Sequence, residues 1–116
     1  MNEERAKEEI EAHRHAALPD GENYRVIRLN YLEDLEACDC SISLTVKHVD
    51  TGKLKRLTFS NVTFNEPPFV SIRDACGLYL MDTRHHGWSS QQNIEVGDWD
   101  GDPPIFWAES VEVEAV

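Results

Sequence analysis

"ISLTVKHVDTGKLKRLTF", Ile42 to Phe59, is the stretch that decides the fold. Ile42, Leu44 and Val46 alternate with Ser43, Thr45 and Lys47. A period of two marks a strand with one buried and one wet face. Asp50-Thr51-Gly52 then supplies a hairpin turn, with Gly where a positive φ is wanted. "KLKRLTF" returns as a second strand, with Leu57 and Phe59 toward the core and its lysines suited to an exposed edge.

The same period extends outward. Arg25 to Leu32 carries Val26, Ile27, Leu29, Tyr31 and Leu32 and reads as a strand before this hairpin. "FNEPPF" breaks the pattern, because Pro67 and Pro68 cannot donate to a ladder. Further strands are expected at "FVSI", "CGLYLMDT", "NIEVGDW" and "PPIFWAESVEVE", with "RHHGWSSQQ" as the longest polar loop. Six to seven short strands predict a mainly β fold, an antiparallel sandwich or small barrel with one N-terminal helix. An α+β arrangement, the helix laid on one antiparallel sheet, is the alternative.

The helix is expected over residues 3–17, within an N-terminal segment 1–18. Asn2 caps it, Glu3 and Glu4 suit its dipole, and Pro19-Asp20-Gly21 ends it. Its apolar stripe is thin (Ala6, Ile10, His13, Ala17), so it docks weakly on the sheet, swaps onto a partner, or frays. His13 and His15 lie two apart and do not share a helical face. Residues 22–116 form the β part of one domain spanning 1–116.

The chain has 116 residues, 41% of them hydrophobic and 28% charged, which is globular composition. No run is long enough for a membrane helix, and the acidic start has no signal-peptide core, so a cytoplasmic location is expected. Cys38, Cys40 and Cys76 are odd in number and lack zinc-knuckle spacing, which fits reduced thiols. Net charge is −11. Residues 76–116 hold eight acids against Arg84 alone, whereas residues 51–75 have more bases than acids. Such a surface repels nucleic acid and anionic membrane and favours solubility, cations or a basic protein partner.

"GDWDGDPP", Gly97 to Pro104, is the densest cluster of chemically interesting residues. Counted from Asp98 as an EF-hand loop, Asp100, Asp102 and Glu109 fall on ligand positions 3, 5 and 12. Pro103 stands where that loop needs Gly, and the flanks read as strands. Asp100-Gly101 is better read as a two-residue hairpin turn, pairing Trp99 with Asp102 and Val96 with Ile105, its aspartates left outside. No metal and no cofactor is assigned.

Beyond that turn, Ile105, Trp107, Glu109, Val111 and Val113 share one face of an extended strand. Glu109, if buried, needs a partner such as Arg25, Arg28 or His48; a twist or bulge would instead turn it to solvent. Asp82 with His85 or His86 has the makings of an acid–base dyad, and Trp88 of a ligand floor. No nucleophile motif or phosphate loop accompanies them, so the sequence favours a protein without catalysis.

The segments "GLYLMD", "HGW", "IEVGDWD" and "IFWAESVEV" together resemble small bacterial immunity-type proteins of polymorphic or contact-dependent toxin systems. The resemblance covers the C-terminal third. It implies a non-enzymatic protein that blocks a toxin, and an acidic surface would suit a nuclease with a basic groove. The leading expectation is therefore a non-catalytic domain binding a basic protein, with Asp98, Asp100 and Asp102 for charge, His85 and His86 beside them, and Trp88 and Trp99 as anchors. A small-ligand or cation-binding β domain, and an enzyme using Asp82, His86 and Glu109, are the alternatives.

Overall fold

The computed structural model describes residues 7–75, 77–87, 92–99 and 104–116. Seven antiparallel strands form two sheets. The larger has the order β1-β2-β3-β7, from β1 (Tyr24–Asp34), β2 (Asp39–His48), β3 (Leu54–Ser60) and β7 (Ser110–Ala115). The smaller has the order β4-β5-β6, from β4 (Leu78–Asp82), β5 (Ile94–Asp98) and β6 (Phe106–Ala108). The sheets do not close into a barrel, and the helices are short: α1 (Lys7–Ala12) and α2 (Phe69–Asp74). Among the described residues no helix is long and apolar enough to cross a membrane.

The opening hairpin pairs as read, but its return strand is not the exposed edge that its lysines suggested: β7 pairs along its outer side, from Lys55 opposite Ala115 to Ser60 opposite Ser110. Ile42, Leu44 and Val46 are fully buried, and so are Leu57 and Phe59 on the partner strand. Ile42 lies opposite Phe59, and Leu44 opposite Leu57, so each row fills one layer of the core. Gly52 takes φ 73° and its N–H bonds His48 O, closing the turn. From the smaller sheet, Leu78, Leu80, Ile94, Val96, Phe106 and Ala108 point into the same core. Phe59 and Phe106 meet across it edge to face, with ring centroids 5.1 Å apart.

The smaller sheet is also covered on its second face. Ile10 of α1 packs there on Tyr79 and Met81, with Trp99 beside them, so the helix docks on its own sheet. It ends at Ala12 rather than at residue 17, while its expected cap and first turn, Asn2 to Glu4, lie outside the described residues. After Ala12 the chain extends along the edge of β4, where His15 N–H bonds Leu80 O and Asp82 N–H bonds His13 O. Those ladder bonds replace further helical turns and cover a sheet edge. Thr63 covers the opposite edge through a pair of bonds with Trp107.

Three local expectations are corrected. "FVSI" belongs to α2 and is not a strand, because Pro67 and Pro68 lead into a first helical turn that needs no N–H donors and Ile72 anchors it in the core. Val96 pairs with Phe106 rather than Ile105, a shift of one residue that sends Phe106 and Ala108 to the core and Trp107 to the other face. The expected turn at Asp100-Gly101 lies outside the described residues. Third, the last strand does not keep one face. Glu109 is the corner where the chain leaves β6 for β7 in the other sheet, and it is exposed.

Gly97 sits opposite Tyr79 in the β4–β5 ladder, and the Tyr79 ring lies over it. A Cβ built at Gly97 would fall 2.4 Å from that ring. A Gly97→Ala protein is expected to lose about 1–3 kcal/mol, the usual cost of overpacking a filled site. Urea unfolding of both proteins measures it, and unchanged midpoints would show that the ring moves aside freely.

Candidate functional site

The most concentrated polar chemistry lies where α1 meets the segment after β4. Thr83, fully buried, roots that segment: its N–H bonds Asn93 O and its hydroxyl donates to Gln92 O. A 3-10 turn follows, Arg84–His86, closed by Gly87 in the left-handed conformation. Asp82 orients it, accepting the Arg84 N–H at 3.0 Å and gripping the guanidinium through Nε and Nη2. This presents His85 and His86 toward α1. Glu9 comes from the helix and His13 from the residue just after it, whose N–H still bonds Glu9 O, so the two side chains lie on one side.

The four side chains meet. His86 Nε2 stands 2.9 Å from Glu9 Oε2, and His85 Nε2 stands 3.7 Å from the same oxygen. His13 stacks on His85 with centroids 3.8 Å apart and planes 14° from parallel. His85 and His86 are edge to face at 4.2 Å. Glu9, His85 and His86 offer one ligand atom each, all within 4.8 Å of one another. Nearby, burial pushes the His15 imidazole below its ordinary pKa, and its Nδ1 accepts the Ala17 N–H, as a neutral ring does.

The expected site residues divide. His85 and His86 come together, but their carboxylate is Glu9, not Asp82, which is held by Arg84. Asp98 is only 7% exposed, which corrects its reading as surface charge. Trp99 is half-buried, with the Arg14 guanidinium 4.7 Å and the Lys7 ammonium 5.5 Å from its ring centroid, so it clamps the N-terminal segment to the sheet. Arg14 is further held by a two-bond pair with Glu22, which lowers the Glu22 carboxyl. Trp88, Asp100 and Asp102 lie outside the described residues. The alternative trio has separate partners: Asp82 has Arg84, His86 has Glu9, and Glu109 has the Asn61 amide at 3.3 Å rather than Arg25, Arg28 or His48.

The most deeply buried acid among the described residues is Glu95, which no sequence pattern singled out. It is fully buried on the face of β5 that α1 covers, and it accepts hydrogen bonds from Tyr79 Oη at 2.9 Å and Trp107 Nε1 at 3.1 Å. Strand alternation turns Glu95 away from Ile94 and Val96, which reads as solvent unless a second layer covers that face. Gly97 was the available signal, since a glycine inside a strand often marks close approach by another group.

Fold and site together define a class: an antiparallel two-sheet β domain whose smaller sheet is capped by an N-terminal helix bearing a Glu–His cluster. No family model, no curated protein and no solved structure matches the chain.

Arg84 holds the Asp82 carboxyl down to about 2. The folded protein therefore binds fewer protons than the unfolded chain between about pH 4 and 2. Asp82 stabilises the fold above that window, and the contribution is lost as pH falls through it. In Arg84→Ala the Asp82 midpoint is expected to rise into the ordinary carboxylate range, read by carboxyl-carbon NMR titration. A midpoint still near about 2 would mean that Arg84 is not the cause.

Proposed function

We propose that the protein is a non-catalytic binding module for a basic protein partner, of the toxin-neutralising kind that its resemblance to immunity-type proteins implies. One observation carries this reading: the tip of the β1–β2 hairpin. Every residue from Leu32 to Asp39 is exposed. Leu32 and Leu35 stand 69% and 78% exposed, among Glu33, Asp34, Glu36 and Asp39. Apolar anchors in a charged rim are the composition of a protein contact, and the charge sign selects a basic surface.

The tip is ordered. Asp34 Oδ1 accepts the N–H groups of Glu36 and Ala37, and Cys38 turns the chain with φ 55°. A cleft of about 370 Å³ beside it is lined by Tyr31, Leu35, Cys40 and Val62, among others. The Tyr31 hydroxyl donates to Glu33, and its pKa is pushed up to about 12, chiefly by that hydrogen bond. Pre-ordering of this kind lowers the entropy cost of docking. This reading puts the contact at the β1–β2 tip rather than at Asp98 and Trp99, because Asp98 is buried and Trp99 already packs on the N-terminal segment.

A photo-crosslinking residue at position 35 of the full chain tests this in lysate of the source cell. The expected result is an adduct with one basic protein, suppressed at high salt and absent from a control at the exposed Glu112. With that protein in hand, Leu35→Ser is expected to weaken binding about fivefold or more. Neutralising Glu33, Glu36 and Asp39 together is expected to slow association about tenfold. Equal adducts at positions 35 and 112, or unchanged binding in both variants, would overturn the reading.

A further inference from the structure

We infer that Glu9, His85 and His86 form a binding site for a zinc-class divalent cation, bridging the N-terminal helix to the turn after β4. Two imidazoles and a carboxylate suit Zn²⁺, whereas Ca²⁺ and Mg²⁺ take oxygen donors almost exclusively. A tetrahedral zinc with bonds of about 2.0–2.1 Å puts its ligand atoms about 3.3 Å apart. The contacts to Glu9 Oε2, 2.9 Å from His86 and 3.7 Å from His85, lie on either side of that spacing. All three ligand atoms already lie within 4.8 Å of one another, close to the span one ion would need.

The surroundings hold the donors in place. His13 stacks flat on His85 and limits its rotation. Asp82 fixes Arg84 and with it the turn that carries both histidines. The backbone of residues 13–15 is tied to β4 by the bonds to Leu80 and Asp82, so the two ligand-bearing segments hang from one strand. The side chains of Glu9, His85 and His86 are 31%, 35% and 14% exposed, which leaves an ion a path from solvent. Three protein donors leave a fourth position for water or for a donor from a partner. The site differs from the acidic loop that Pro103 argued against: Glu9 and His86 lie 77 residues apart along the chain.

The test is calorimetric titration of the metal-stripped full-length protein with Zn²⁺, with Co²⁺ absorption as a reporter of geometry. One site per chain is expected, with intense visible Co²⁺ bands and a melting temperature raised by about 4–8 °C when saturated. His85→Ala and His86→Ala are expected to weaken binding at least about a hundredfold, and Glu9→Gln about tenfold. His48→Ala, at the β2–β3 hairpin, is expected to bind as the parent does. His85 is at the surface and Glu9→Gln preserves shape, so these two variants decide the matter even if His86→Ala unfolds. No Zn²⁺ heat, equal affinity in the parent and in the His85 and Glu9 variants, or Ca²⁺ binding as tight as Zn²⁺ would overturn the assignment.

Discussion

Phe106 meets Phe59 edge to face between the two sheets, and on the far side of the same small sheet Ile10 lies against Tyr79 and Met81. The structure depends on this double covering of β4-β5-β6. A sheet of three short strands buries its apolar residues only by packing against other layers. Packing both faces makes it a middle layer, and its edges are closed in turn by residues 13–15 and by Thr63. One consequence is polar. Glu95 is enclosed under the helix layer and needs Tyr79 and Trp107 as donors, and Gly97 leaves room for the tyrosine ring to cross the ladder.

The same covering creates the Glu–His cluster. Glu9 and His13 reach His85 and His86 only because Ile10 docks and the following residues join the edge of β4. The cluster therefore reports on whether the N-terminal segment is in place. The β1–β2 tip belongs to the other sheet and is built from local bonds alone. The hairpin and the helix cluster are thus two chemically different surfaces, one acidic and apolar, the other rich in imidazole.

Much of the fold was legible. The alternation in Ile42–Val46, the glycine turn at Asp50–Gly52 and the pairing of the return strand stand as read, since each rests on neighbours within a few residues; that β7 would cover the return strand's outer side did not show, because the two are about fifty residues apart. "FVSI" did not, because three β-prone residues in four positions carry no period and the prolines before them start a helix as readily as they end a strand. The site was legible in part. His85 and His86 stood out as a pair, but Glu9 gave no sign, because nothing local says which carboxylate will face them. Glu109 was marked as the odd acid on an apolar face, and the switch from one sheet to the other removed that face.

The chain by itself determined the mainly β class, the central hairpin, the acidic balance and the presence of an N-terminal helix, all of them properties of short-range period and composition. Only the tertiary structure decided where that helix ends, which acids are buried, which residues surround the histidines and which hairpin presents apolar surface. Those outcomes depend on long-range packing. The gain from burying Ile10 and Phe106 outweighs local preference in setting register and helix length, and contacts between residues 77 apart leave no mark in the spacing of either.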